Sequence, residues 1–347
     1  MITPRSIVVV VSVVLVGALT AGSACLGRGR AARGLAPSPV GLPSALFTMP
    51  TRPVCEGDNS NVVDVAAVVE PALREVSGLA SSQLNDDILW MLADSGNEPA
   101  VFALSATTGD VRLQVNLPVK NVDFEDLSMG PCPDLSGPCL FVSDTGDNDG
   151  VRTTVVVYAF PEPTLSADAA TAAVVVIDTV WVMPMDFPGG ERIDVEAVVV
   201  FPDASAILLF EKTTAATARI FVYRSPWSST INGFHSPART LEQSGTISVP
   251  TEGKKRERRI TGAALHWSGT RLLVRFSGGL VEYAAADAVS FMDLHLLTPR
   301  QQLWSPPGEE QGEALTYSAD GLGLFSIPEA AAGDAPVLHH SGCVEVR

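Results

Sequence analysis

The chain has 347 residues, with 39 Asp and Glu against 23 Lys and Arg and a formal charge of −16. All the acids, but only 18 of the Lys and Arg, lie beyond residue 55, so residues 56–347 carry about −21. Such a surface excludes nucleic acid and anionic lipid as natural partners, since phosphate contacts need clustered Lys and Arg.

The chain opens with Arg5 and an apolar run from Ile7 to Ala24, the outline of an export signal over residues 1–24. Gly22-Ser23-Ala24 offers small residues for cleavage, and Cys25 follows at once. Three fates are open: lipidation at Cys25, plain cleavage, or retention of the run as an anchor. An extracytoplasmic location, in the periplasm or at the cell surface, is expected in each case. Membrane attachment is expected only through the signal or a lipid. Residues 25–55 read as a tether. Between Leu26 and Pro53 they are rich in Arg, Gly, Ala, Pro and Ser, and carry no acid.

Setting Cys25 aside leaves Cys55, Cys132, Cys139 and Cys343, an even number that an oxidising compartment would pair. Cys132 and Cys139 flank a turn-rich stretch, where a small closed loop or a metal site could form; no histidine neighbours them. Cys55 and Cys343 stand at the two ends of the body, so a bond between them requires those ends to meet.

From residue 56 onward, short runs of Val, Ile, Leu, Phe and Tyr alternate with Gly, Pro, Asp and Asn, an all-β pattern. Five segments repeat: Ser77-Gly78-Leu79, Glu125-Asp126-Leu127, Glu196-Ala197-Val198, Thr261-Gly262-Ala263 and Glu313-Ala314-Leu315, spaced 48, 71, 65 and 52 residues apart. Each opens a unit of short strands. The unit at Glu196 reads Ala197–Phe201, Ala206–Phe210, Ile220–Arg224 and Thr246–Val249; the unit at Glu125 is expected to end in a strand over 174–182. The unit at Glu313 falls one strand short, and Asn61–Val68 at the other end can supply it. The expected fold is a five-bladed β-propeller over residues 56–347, closed by its N-terminal strand. A single copy of the chain suffices to close that ring, and a monomer is expected.

In a propeller the innermost strands line the axis, so Ser77, Glu125, Glu196, Thr261 and Glu313 should form a ring. Three carboxylates in a narrow tube repel one another unless a cation joins them. The all-oxygen set, without His or Cys, suits Ca2+. The alternatives are a water-filled channel without metal, or pairing with Arg192, Lys212 or Arg275.

A second set of polar residues falls where each second strand turns to the third: Asp94-Ser95-Gly96-Asn97, Asp144 to Asn148, Glu211-Lys212 and Arg275. The basic stretch Lys254–Arg259 leads into the fourth inner strand on the same face, as a solvated loop or as a receiver of anionic ligand. No Gly-x-Ser-x-Gly elbow, P-loop or Gly-x-Gly-x-x-Gly is present.

Phe124-Glu125-Asp126-Leu127, Gly130-Pro131-Cys132-Pro133-Asp134, Asp144-Thr145-Gly146-Asp147-Asn148, Val157 to Pro163 and Gly312 to Tyr317 together resemble a group of uncharacterised bacterial exported β-propeller proteins, some of them lipoproteins. The ring order Ser, Glu, Glu, Thr, Glu is also similar to calcium-activated nucleotidases (apyrases), five-bladed propellers with a central calcium. That resemblance implies calcium at Ser77, Glu125, Glu196, Thr261 and Glu313; Thr261 stands where those proteins carry Ser. Two functions are compatible with these residues. One is a calcium-stiffened binding or scaffold module for an anionic small molecule or a cell-envelope component. The other is a calcium-dependent hydrolase of phosphate esters or similar anions, with Asp144 or Glu211 as general base and Lys212 and Arg275 stabilising charge.

Overall fold

The computed structural model describes residues 47, 49–165, 173–227, 229–231, 237–304, 309, 311–330 and 334–344. The expected signal segment and Cys25 lie outside them. Among the described residues no helix is long and apolar enough to cross a membrane.

Five sheets, each built on four antiparallel strands, form the five blades. Their inner strands are Val76–Ser81, Phe124–Pro131, Val195–Val200, Ile260–Leu265 and Gly312–Tyr317. These are almost wholly buried, whereas outer strands such as Val111–Asn116 and Asp58–Ala67 are partly exposed, which is why apolar runs mark the inside of each blade and alternation the outside. In the fifth blade Asp58–Ala67 pairs antiparallel with Val337–Val344, so the first strand of the body completes the sheet begun by the last inner strand. That pairing closes the ring.

Five apolar clusters lie between the five pairs of neighbouring blades. Trp90 and Val101 meet Tyr158 and Phe160 between the first and second; Phe141 and Val157 meet Leu209 and Phe221 between the second and third. Phe210 and Ile220 pack on Phe276 and Tyr283, Leu273 on Leu315 and Leu324, and Ile327 and Leu338 on Met91 and Phe102. An open array would leave two of these faces bare to water.

Both expected cysteine pairings are present. Cys55 is bonded to Cys343 and Cys132 to Cys139, with Cα separations of 5.7 and 4.8 Å. Such bonds are what an oxidising, extracytoplasmic compartment supports.

Two features differ from the sequence expectation. The strand expected over 174–182 is divided between two blades. Ala173–Val176 runs parallel beside Val111–Asn116 as a fifth strand of the first blade, and Trp181–Asp186 is the fourth strand of the second. The break falls at Asp178-Thr179, between two apolar runs that sequence alone reads as one. The end of the tether is also docked rather than free. The Phe47 N–H donates to the Leu135 carbonyl at 3.2 Å, Phe47 and Met49 pack near Trp267 and Ala319, and the Arg52 guanidinium lies 5.3 Å from the Trp267 ring. Those contacts sit on turns beyond the far ends of three inner strands. This segment therefore crosses the face opposite the ring of matched residues.

Candidate metal centre

Every matched residue is the second of its inner strand, and every one is the extra residue of a β-bulge. Pairing with the second strand slips between Val76 and Gly78, Phe124 and Asp126, Val195 and Ala197, Ile260 and Gly262, and Gly312 and Ala314. A bulge leaves one residue out of the ladder and re-aims its side chain. Repeated five times, it delivers Ser77, Glu125, Glu196, Thr261 and Glu313 to the axis. Ser77, Glu125, Glu196 and Glu313 line a cavity of about 110 Å³, and Thr261 lines an adjoining one of about 240 Å³ with Glu196 and Glu313.

Two ring hydroxyls stitch neighbouring blades. Ser77 donates to the Glu125 carbonyl, and Thr261 donates to the Gly312 carbonyl at 2.8 Å. Each retains oxygen lone pairs. One step beneath Glu125, the fully buried Asp126 accepts the N–H groups of Leu127, Val198 and Ala263 at 2.8, 2.9 and 3.4 Å, joining three blades at the axis.

Of the three ring carboxylates, Glu125 and Glu196 are buried and Glu313 is intermediate in exposure. Burial pushes the Glu125 and Glu313 carboxyls well above the ordinary range, and the Glu196 charge adds to both shifts. Burial raises Glu196 to about 7, against the pull of Lys212. Glu125 Oε1 is buried and has no hydrogen-bond partner. An ionised oxygen in that position is costly unless a cation reaches it.

The sequence reading missed Asp123 and Asp194. Each stands two residues before a ring glutamate, in Asp123-Phe124-Glu125 and Asp194-Val195-Glu196, and the repeated Asp-x-Glu was the available signal. Carboxylate oxygens of Glu125, Asp194 and Glu196 lie within 4.8 Å of one another, as do those of Asp94, Asp123 and Glu125. The buried acidic cluster therefore offers the donor set of a metal centre.

Lys212 reaches the same mouth. Its ammonium pairs with Glu196 and lies 3.8 Å from Asp194 and 3.3 Å from Asn148 Oδ1. Burial lowers its pKa, but Glu196, Asp194 and Glu125 more than offset this and the group is held charged. Pairing with Lys212, one of the alternatives to a metal, is thus realised at Glu196. Arg192 instead donates to the Gly150 carbonyl at 3.3 Å.

Asp94 of the second set lines the 110 Å³ cavity with the ring, whereas Asp144, Glu211 and Arg275 are each held in an ion pair. Asp144 pairs with Arg152 at 2.8 Å and accepts the Asp123 N–H at 3.1 Å, fixing the approach to the second inner strand. Glu211 is clamped by Arg219, through the backbone N–H at 2.9 Å, Nε at 3.0 Å and Nη2 at 2.7 Å. Arg275 is wholly buried against Glu309, and a side-chain carbon at Gly312 would overlap its guanidinium. Of the basic stretch, Lys255–Arg258 forms a short 3₁₀ turn, and Arg256 and Arg259 line the 240 Å³ cavity opposite Glu196 and Glu313.

No known protein family matches the chain, and no curated protein does either. Solved structures of similar shape include a chain of the mitotic checkpoint complex, at 10% identity and TM-score 0.38, over 87% of this chain and 100% of that one. Others are a gluconolactonase from Xanthomonas campestris (12%, 0.39, 78% and 72%) and Kuenenia stuttgartiensis hydrazine synthase (12%, 0.40, 78% and 96%). At these values the likeness carries no argument about activity.

Proposed function

We propose that this chain is an exported, calcium-binding β-propeller whose channel mouth beside the ring of matched residues receives an anionic ligand, as a binding or scaffold module of the cell surface or periplasm. The observation that carries the reading is Glu125. Its Oε1 is buried without a hydrogen bond among carboxylates from neighbouring blades. The neighbouring side chains that could ligate an ion all offer oxygen, as a hard divalent cation requires, and Lys212 is the cation such an ion would displace. In this reading Glu125, Glu196 and Glu313, with the hydroxyls of Ser77 and Thr261, hold the ion, and Asp194 joins them.

Bound calcium would neutralise the acidic floor and tie the blades together. Arg256 and Arg259 give the rim the charge to meet a carboxylate or phosphate. Binding is favoured over hydrolysis because Asp144 and Glu211, the two candidate bases, are each held in an ion pair.

Calorimetric titration of the metal-stripped chain with calcium tests the reading. Saturable binding that vanishes in Glu125→Gln supports it; a protein indifferent to calcium overturns it.

A further inference from the structure

The sequence points to one ion on the axis, whereas the structure divides the carboxylates into two groups that share Glu125. The axial group, Glu125 with Asp194 and Glu196, already has a counter-charge in Lys212. The other group, Asp94, Asp123 and Glu125, lies to one side, between the first and second blades. Among the described residues no Lys or Arg comes within ion-pairing distance of any of its three members.

We propose that Asp94, Asp123 and Glu125 form a second divalent-cation site, set off the axis and bridged to the axial one through Glu125. One oxygen from each residue lies within 4.8 Å of the others, close enough for a single ion to touch all three. Glu125 is 3% exposed, and its Oε1 has no hydrogen bond. That oxygen and Asp123 Oδ2 face the same empty point beside Gly146. A carbon built there would lie 2.0 Å from the first and 2.4 Å from the second, so position 146 must be glycine for the two oxygens to converge. The Ser95 N–H donates to Asp94 Oδ1, and the Ser95 side chain reaches the Asp94 and Asp123 carboxylates as well, so one residue draws the two acids together.

Three blade-borne carboxylates and no nitrogen or sulfur define a site for a hard cation, calcium foremost, with water completing the shell. The inference extends the cation-binding reading above but does not depend on the axial ion, because Asp94 and Asp123 belong to this group alone.

The test is calcium stoichiometry on the full, metal-stripped chain, by calorimetry, with terbium luminescence as a second readout. Wild type should take two ions per chain. Asp94→Asn and Asp123→Asn should each take one, Glu196→Gln should keep the off-axis ion, and Glu125→Gln should take neither. Asp94 and Asp123 are only half-buried, so their variants should fold, and circular dichroism checks that they do. If wild type takes one ion that survives in both Asn variants and is lost in Glu196→Gln, the off-axis site is overturned and the axial reading stands. If the single ion is lost in both Asn variants and survives in Glu196→Gln, the off-axis site is supported and the axial one fails. Absence of any binding overturns both.

Discussion

Lys212 and Glu196, sixteen residues apart in the chain, form an ion pair inside the channel mouth, with the lysine side chain 16% exposed and the glutamate 5%. The ammonium stands where an axial divalent ion would need the same carboxylate. Lysine and calcium therefore compete for Glu196, and the lysine is tethered within the third blade next to it.

Replacing Lys212 by Met keeps the apolar stem and removes the charge. A charge-assisted hydrogen bond of this kind contributes about 1.5–3 kcal/mol. The metal-free Lys212→Met protein should lose stability on that scale in urea denaturation. Its axial calcium affinity should tighten by about tenfold or more, because no internal cation has to be displaced. Unchanged affinity would mean that the lysine and the ion do not share Glu196.

Calcium removal should loosen the whole ring. Ligand binding to the folded state alone stabilises it by about 2.7 kcal/mol at a hundredfold excess over Kd. Thermal unfolding in excess calcium should therefore occur several degrees above unfolding in chelator, and Glu125→Gln should erase the difference. Magnesium should substitute poorly, since it prefers a tighter octahedral shell.

Asp126 holds three blades by accepting three backbone N–H groups. Asp126→Leu leaves those donors buried and unpaired, at a cost of about 1–3 kcal/mol each where no other partner is found. Chemical denaturation should show a loss of several kcal/mol, with Asp126→Asn milder because its amide oxygen can still accept. A neutral outcome for Asp126→Leu would remove this contact from the account of blade closure.

His266 gives the folded state an acid sensitivity. Burial lowers its pKa below the ordinary 6.5 against the opposing pull of the Gly321 and Pro53 backbone, and the nearby Arg271 adds to the lowering; the Ser268 hydroxyl and the edge of Tyr317 also face the ring. Between the lowered folded value and 6.5 the unfolded chain binds more protons, so stability falls as pH drops through that window and is fully present above it. Thermal scans from about pH 7.5 to 5 should show wild type losing stability faster than His266→Gln, which keeps an acceptor for the Ser268 N–H. Parallel curves would contradict the assignment.

The two disulfides should differ in effect. Cys55–Cys343 spans 288 positions and Cys132–Cys139 only 7. Loop-closure entropy predicts a contribution of about 5.7 kcal/mol for the first and about 2.5 kcal/mol for the second. Cys343→Ser should therefore lower the denaturation midpoint far more than Cys139→Ser, and equal effects would show that chain entropy is not the main contribution.

Much of the fold could be read from the sequence because its signals are local. Apolar alternation, turn residues and a repeat of one short segment sit within a few residues of each other, and they give five units, a closing strand and a ring of matched positions. The division of 173–186 between two blades was less legible. Both runs have strand character, and only the neighbouring sheet edge selects which one each run joins.

The site was legible as a set of positions and illegible as a set of partners. The meeting of Glu125, Glu196 and Glu313 follows from the repeat, which fixes their place on each inner strand. That Lys212 serves Glu196, that Arg219 and Arg152 occupy Glu211 and Asp144, and that Asp94 and Asp123 gather beside Glu125 is visible only in the folded ring. Electrostatic pairing depends on distances of a few ångströms between side chains on different strands and blades, and those distances are set when the ring closes.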